Sequence, residues 1–170
     1  MQFEVWTKRL TTLAVDCIVL GIFEEGELSG EAQSLDTASS GRLKKLLARG
    51  DFPGRPGETL LLTDLPGMQA SRVLLTGLGA KKAFARKSWR KAWAAAMSAL
   101  GRTRIASVAL AIDRPDSKEL DDYYFGRAVA EIAGTALYRV NDLKTAKKPK
   151  PPALQRVLAG PVRKSGIEDT

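Results

Sequence analysis

The chain has 170 residues, 44% of them hydrophobic and 27% charged, with a formal net charge of +8. That length suits one domain with a core of its own, and no apolar run is long enough to cross a bilayer. There is no histidine and only one cysteine, Cys17, which excludes Ser-His-Asp and Cys-His catalysis, imidazole-based zinc sites and any intrachain disulfide. A catalytic metal would have to rest on carboxylates alone, so the chain by itself is a poor candidate for an independent enzyme. The first residues mix acids and bases without the order of a secretory signal, and one unpaired cysteine suits a reducing cytoplasm.

In chain order, QFEVW alternates and predicts a first strand. DCIVLGIF is nearly continuous in apolar residues, the pattern of a strand covered on both faces. The polar, glycine-dotted stretch EEGELSGEAQSLDTASS follows, then GRLKKLLARG predicts a short helix ending at Gly50. DFPGRPGE reads as a turn-rich loop. It leads into TLLLTDL and RVLLTGL, two strands that can form a hairpin.

From Arg86 to Leu100 the pattern turns helical, with Trp89, Trp93, Ala96 and Leu100 on one face. IASVALAI is a buried strand. DRPDSKEL is a loop in which Asp116 or Ser117 is positioned to cap a long helix. That helix has Phe125, Val129, Ile132, Ala133, Ala136 and Val140 on one side and Arg127, Glu131 and Thr135 on the other. Gly126 and Gly134 within it each cost about 1 kcal/mol relative to alanine, unless close packing offsets the loss. KTAKKPKPP is an extended, basic connector, and LQRVLAG has the composition of one more strand. The alternation of strands and helices predicts an α/β domain, a mixed sheet flanked by helices on both faces.

Charge is unevenly spread. Residues 1–80 carry 8 basic and 10 acidic side chains, whereas 81–104 carry 8 basic and none acidic. Within that zone Lys81, Lys82, Arg86, Lys87, Arg90 and Lys91 are the candidate contacts for an anion or for nucleic acid. Helical geometry places the two tryptophans towards the core, not among the bases of a bound strand.

RVLLTGLGAKKAF raises the question of a phosphate loop. A dinucleotide fingerprint needs a third glycine where Lys82 stands, and the Walker pattern needs a longer loop and a Lys-Ser/Thr pair. The glycines therefore read as backbone necessities of a tight turn. Asp113, Asp116, Asp121 and Asp122 are numerous enough to bind a hard cation, but acids at a helix start are accounted for by capping and the helix dipole. Cys17 reads as a small buried hydrophobe.

VDCIVLGIFEEGELS, LLARGDFPGRPGETLLL, RVLLTGLGAKKAFARKSWRKA and GRAVAEIAGTALYRVNDLKT, in that order and followed by the lysine-proline tail, resemble the N-terminal domain of the leucyl aminopeptidase (cytosol aminopeptidase) family. The resemblance implies a macro-domain-like fold over residues 1–150, with 151–170 a connector towards a C-terminal catalytic domain. It also implies a cytoplasmic, hexameric peptidase with two divalent metals, manganese or zinc, acting on the N-termini of peptides. That family's metal and catalytic segments have no counterpart here, so no catalytic, cofactor-binding or metal-ligating residue is assigned. The expected role is architectural, in the oligomer and in access to the active sites. Two other functions are open: the basic residues suggest a nucleic-acid-binding module through zone 81–104, and the macro-like fold that the resemblance implies suggests a degenerate macro-type nucleotide binder. Against the latter, Leu20 and Gly21 stand where polar groups would be expected.

Overall fold

The computed structural model describes residues 1–28, 30–115, 122–142 and 153–160, with the side chains of the last helix described over 123–135. The elements are β1 (Gln2–Val5), β2 (Cys17–Phe23), α1 (Gly30–Ala38), α2 (Arg42–Ala48), β3 (Thr59–Thr63), β4 (Arg72–Gly79), α3 (Arg86–Leu100), β5 (Ser107–Ala111), α4 (Asp122–Asp142) and β6 (Arg156–Ala159). The strands form one sheet in the order β1-β6-β5-β2-β4-β3. All neighbours are parallel except β3 and β4, which form the expected antiparallel pair.

Strand β2 explains the architecture. Cys17, Val19 and Phe23 enter one buried cluster with Trp89, Trp93 and Met97 of α3 and Phe125, Val129 and Ile132 of α4. Ile18, Leu20 and Ile22 enter another with Leu35 of α1, Leu43 of α2 and Phe52. An unbroken apolar run therefore serves two faces, and helices cover both. The Cys17 side chain is buried, and burial pushes its thiol up to about 12, so it packs as a hydrophobe.

Two segments depart from expectation. The polar stretch after β2, read above without an element, contains α1. Ala32 and Leu35, three residues apart, bury one side of it, and that tertiary contact outweighs weak local propensity. Its buried Asp36 accepts a hydrogen bond from the Lys44 amide at 3.0 Å, satisfying a donor in the first turn of α2. The second departure concerns the boundary at residue 150, which assigned 156–159 to a connector. These residues are β6, paired between β1 and β5, with Val157 fully buried. The sheet thus includes them, and the α/β unit extends at least to Gly160.

Gly126 and Gly134 lie where an added Cβ would meet nothing within 4 Å, so no close packing of the described residues offsets their helix cost. Asp116, Ser117, Asp121 and the side chains of Asp122, Ala136 and Val140 lie outside what is described, as does the lysine-proline segment 143–150.

Asp16, just before β2, ties the starts of β2 and β5 together. Its carboxylate accepts hydrogen bonds from the Ala106 and Ser107 amides, both at 2.9 Å, while its own amide donates to the Ser107 hydroxyl at 2.9 Å. Desolvation by burial would raise its pKa, but these hydrogen bonds together outweigh that and hold it below the ordinary 3.8. The lowered folded-state value means that its stabilisation is present above the unfolded value and lost as pH falls through the folded one. Asp16→Asn is expected to cost about 1 kcal/mol at neutral pH, with the gap to wild type narrowing on acidification. Paired urea titrations at pH 7 and pH 3 check this.

Candidate functional site

In an open α/β sheet the crevice outside the carboxyl ends of parallel strands is where ligands bind by default. Here that crest is formed by the ends of β2, β4 and β5, and the glycine turn of RVLLTGLGAKK sits in it. Three of its amides are already engaged. Gly77 N–H donates to the Glu58 carbonyl at 2.9 Å and Gly79 N–H to the Gly54 carbonyl at 3.0 Å, both in the loop before β3. The Lys81 N–H donates to the Glu25 carboxylate, 3.2 Å from each oxygen. Gly79 has a left-handed φ of +79°, and Gly77 permits the 54–58 loop to lie directly on the strand. These three N–H groups are spent on the protein's own oxygens and are not left to cradle a phosphate.

The crest is also of the wrong charge for a diphosphate. The loop after β2 carries Glu25 and Glu27, and Lys81 Nζ donates to the Glu27 carboxylate at 2.8 Å. That hydrogen bond, chiefly, raises the Lys81 pKa. At the start of α1, an added Cβ on Gly30 would lie 2.7 Å from an Asp113 carboxylate oxygen. Neighbouring Glu31 has its pKa raised, first by burial and then by Asp113. A helix N-terminus normally favours anions; at this one two carboxylates already meet. Leu20 and Gly21 lie in β2, and a Cβ on Gly21 would be 2.7 Å from a Leu78 methyl. That position is filled by hydrocarbon.

The six candidate basic residues are not one patch. Lys81 is tied to Glu25 and Glu27 as described. Arg90 donates to Tyr124 Oη and to Glu131 Oε1, both at 3.2 Å. Arg86 places its guanidinium 5.3 Å from the centre of the Tyr124 ring. Lys82, Lys87 and Lys91 are exposed, and among the described residues no salt bridge is formed by them. Trp89 and Trp93 are fully buried, and Trp93 Nε1 donates to the Val129 carbonyl at 3.3 Å. The acids that neutralise this zone come from β2's following loop and from α4, 41 to 56 residues away in sequence. No local pattern announced them.

Among the described residues no three acidic or cysteine side chains are grouped to hold a metal ion. On the crest, Glu25 and Glu27 both accept hydrogen bonds from Lys81. Of the four aspartates considered for a cation, only Asp113 has a described side chain, and it lies on the crest near Glu31. Among the described residues no helix is long and apolar enough to cross a membrane.

With the geometry set out, the relatives become informative. Residues 19–147 match the model for the cytosol aminopeptidase family, N-terminal domain. A probable cytosol aminopeptidase of Halorhodospira halophila is 38% identical over 148 residues, which make up 86% of this chain and 30% of that protein. Among solved structures, a tomato leucine aminopeptidase variant superposes with a TM-score of 0.68 at 21% identity, covering 94% of this chain and 32% of that one. The macrodomain of Mycobacterium tuberculosis DarG gives a TM-score of 0.64 at 14% identity, covering 94% and 98%. These structural likenesses establish the macro-like α/β fold. The chain spans about a third of the length of the aminopeptidases that it matches.

Proposed function

The chain belongs to the cytosol aminopeptidase family and is its N-terminal domain, and from that premise we propose that it is the non-catalytic part of a cytoplasmic peptidase that releases N-terminal residues from peptides. The observation that carries this reading is the family match over 19–147, joined to relatives about three times as long. In the whole protein a pair of divalent metals, manganese or zinc, held by the C-terminal part would polarise the peptide carbonyl and activate a water. The residues of this chain supply none of that chemistry. They build a rigid unit whose sheet crest is closed by its own loops, and its work is to hold the oligomer together and to shape access to the active sites.

The test is an assay on leucine p-nitroanilide with manganese. The protein encoded by the whole gene is expected to turn over substrate, and the 170-residue chain to match a metal-only blank. Turnover by the short chain would overturn the reading.

A second reading, nucleic-acid binding through zone 81–104, is favoured by one observation, that Lys82, Lys87 and Lys91 are exposed and form no salt bridge among the described residues. Retention of duplex DNA by this face is then expected to have a log–log salt slope no steeper than about −3, roughly −0.9 per phosphate contact. Filter binding across a salt series measures it. A slope near −5 would require all six side chains and would mean that the pairs at Lys81 and Arg90 open on binding.

A further inference from the structure

β1 is an edge strand, and its two faces differ. Glu4 lies on one, held by Arg156 Nε at 2.9 Å and Nη2 at 2.7 Å, beside a polar cleft that also includes Lys8 and Gln69. On the other face Phe3 and Val5 pair in register with Val157 and Ala159 of β6. Paired residues share a face, so Phe3 and Val5 continue the layer that buries Val157 beneath α3 and α4. Yet Met1, Phe3 and Val5 are 50%, 45% and 58% exposed, three of the five large exposed hydrophobics among the described residues. An edge strand with an open apolar stripe is the arrangement that proteins otherwise blunt with charge or cover.

We infer that this stripe is the docking surface for the C-terminal domain of the same polypeptide, so that β1 is buried between the two domains. The inference rests on the proposed reading that the chain continues into such a domain. Two observations select that occupant over others. The chain leaves the sheet beside the stripe, since Val5 is the partner of Ala159 and the Trp6 amide donates to the Ala159 carbonyl at 3.2 Å. Moreover, both earlier connections that move along the sheet in this direction, β4 to β5 and β5 to β6, put their helices on this face. That is the hand parallel crossovers take, and the next place in the layer lies over β6 and β1. Tethering makes the docking intramolecular and favours it over any free partner.

The test uses single cysteines, Phe3→Cys and Val5→Cys, in the protein encoded by the whole gene, with Lys8→Cys as an exposed control. Cys17 stays silent because it is buried with a raised pKa. Maleimide labelling is timed in native buffer and again in urea. Positions 3 and 5 are expected to label at least tenfold more slowly in the native protein once the difference at position 8 is allowed for. Native rates equal to the control would overturn the inference. Protection lost on dilution to single chains would also overturn it, assigning the stripe to a second copy. Peptidase activity of the same samples separates the two claims: active protein with unprotected cysteines sinks the docking alone, and inactive protein with protected ones sinks the peptidase reading alone.

Discussion

Trp93→Ala is expected to destabilise the domain by about 4 kcal/mol, within the range for emptying a buried tryptophan site. For a chain of this size that corresponds to a fall in Tm of roughly 8–16 °C, readable by circular dichroism. Trp93 is fully buried between the sheet and α4, and its Nε1 reaches the Val129 carbonyl, so truncation removes both volume and a bond that joins α3 to α4. Trp89 is equally buried and packs 5.3 Å from the Phe125 ring, but among the described residues its Nε1 has no acceptor. Phenylalanine should therefore be better tolerated at 89 than at 93, by about 1 kcal/mol, the net worth of one hydrogen bond. Equal losses at the two sites would show that the Val129 bond contributes nothing. A change of under 2 °C for Trp93→Ala would contradict its place in the core.

That tryptophan face was legible in the sequence because helical spacing depends only on neighbours within four residues. The same holds for β2, whose unbroken apolar run announces a strand covered twice, and for the β3–β4 pair, two apolar strands joined by residues 64–71. What escaped was determined by distant partners. α1 has a weak local pattern and is held by Ala32 and Leu35 against residues of another element. LQRVLAG was legible as a strand, but the place of β6 inside the sheet was not, because its pairing with β1 joins positions more than 150 residues apart. The acids that pair with the candidate basic zone were illegible for a related reason. Its acids, Glu25, Glu27 and Glu131, lie far off in the chain and near in space. Composition along the chain measures charge by sequence distance, whereas an anionic partner would meet charge by spatial distance.

Gly77→Ala is expected to cost about 3 kcal/mol, at the upper end of the usual penalty for overpacking, although the position has no positive φ and the substitution adds one methyl group. A Cβ there would lie 2.7 Å from the Arg55 carbonyl carbon and closer still to its oxygen, with the Gly54 carbonyl carbon also at 2.7 Å. These are backbone atoms and cannot rotate away. The 54–58 loop would have to lift, and with it would go the bonds from Gly77 to the Glu58 carbonyl and from Gly79 to the Gly54 carbonyl. Gly126→Ala is the contrasting case: with open space around it on an exposed helix face, it should gain about 1 kcal/mol. Thermal melts of the two variants should therefore move in opposite directions. A phosphate-binding role for the glycine turn predicts something else, a Gly77→Ala variant of ordinary stability that has lost affinity for phosphorylated ligands. A melt within 2 °C of wild type for Gly77→Ala would remove the packing explanation. A fall of roughly 6–12 °C would mean that GLG is written into this strand because another piece of backbone lies across it.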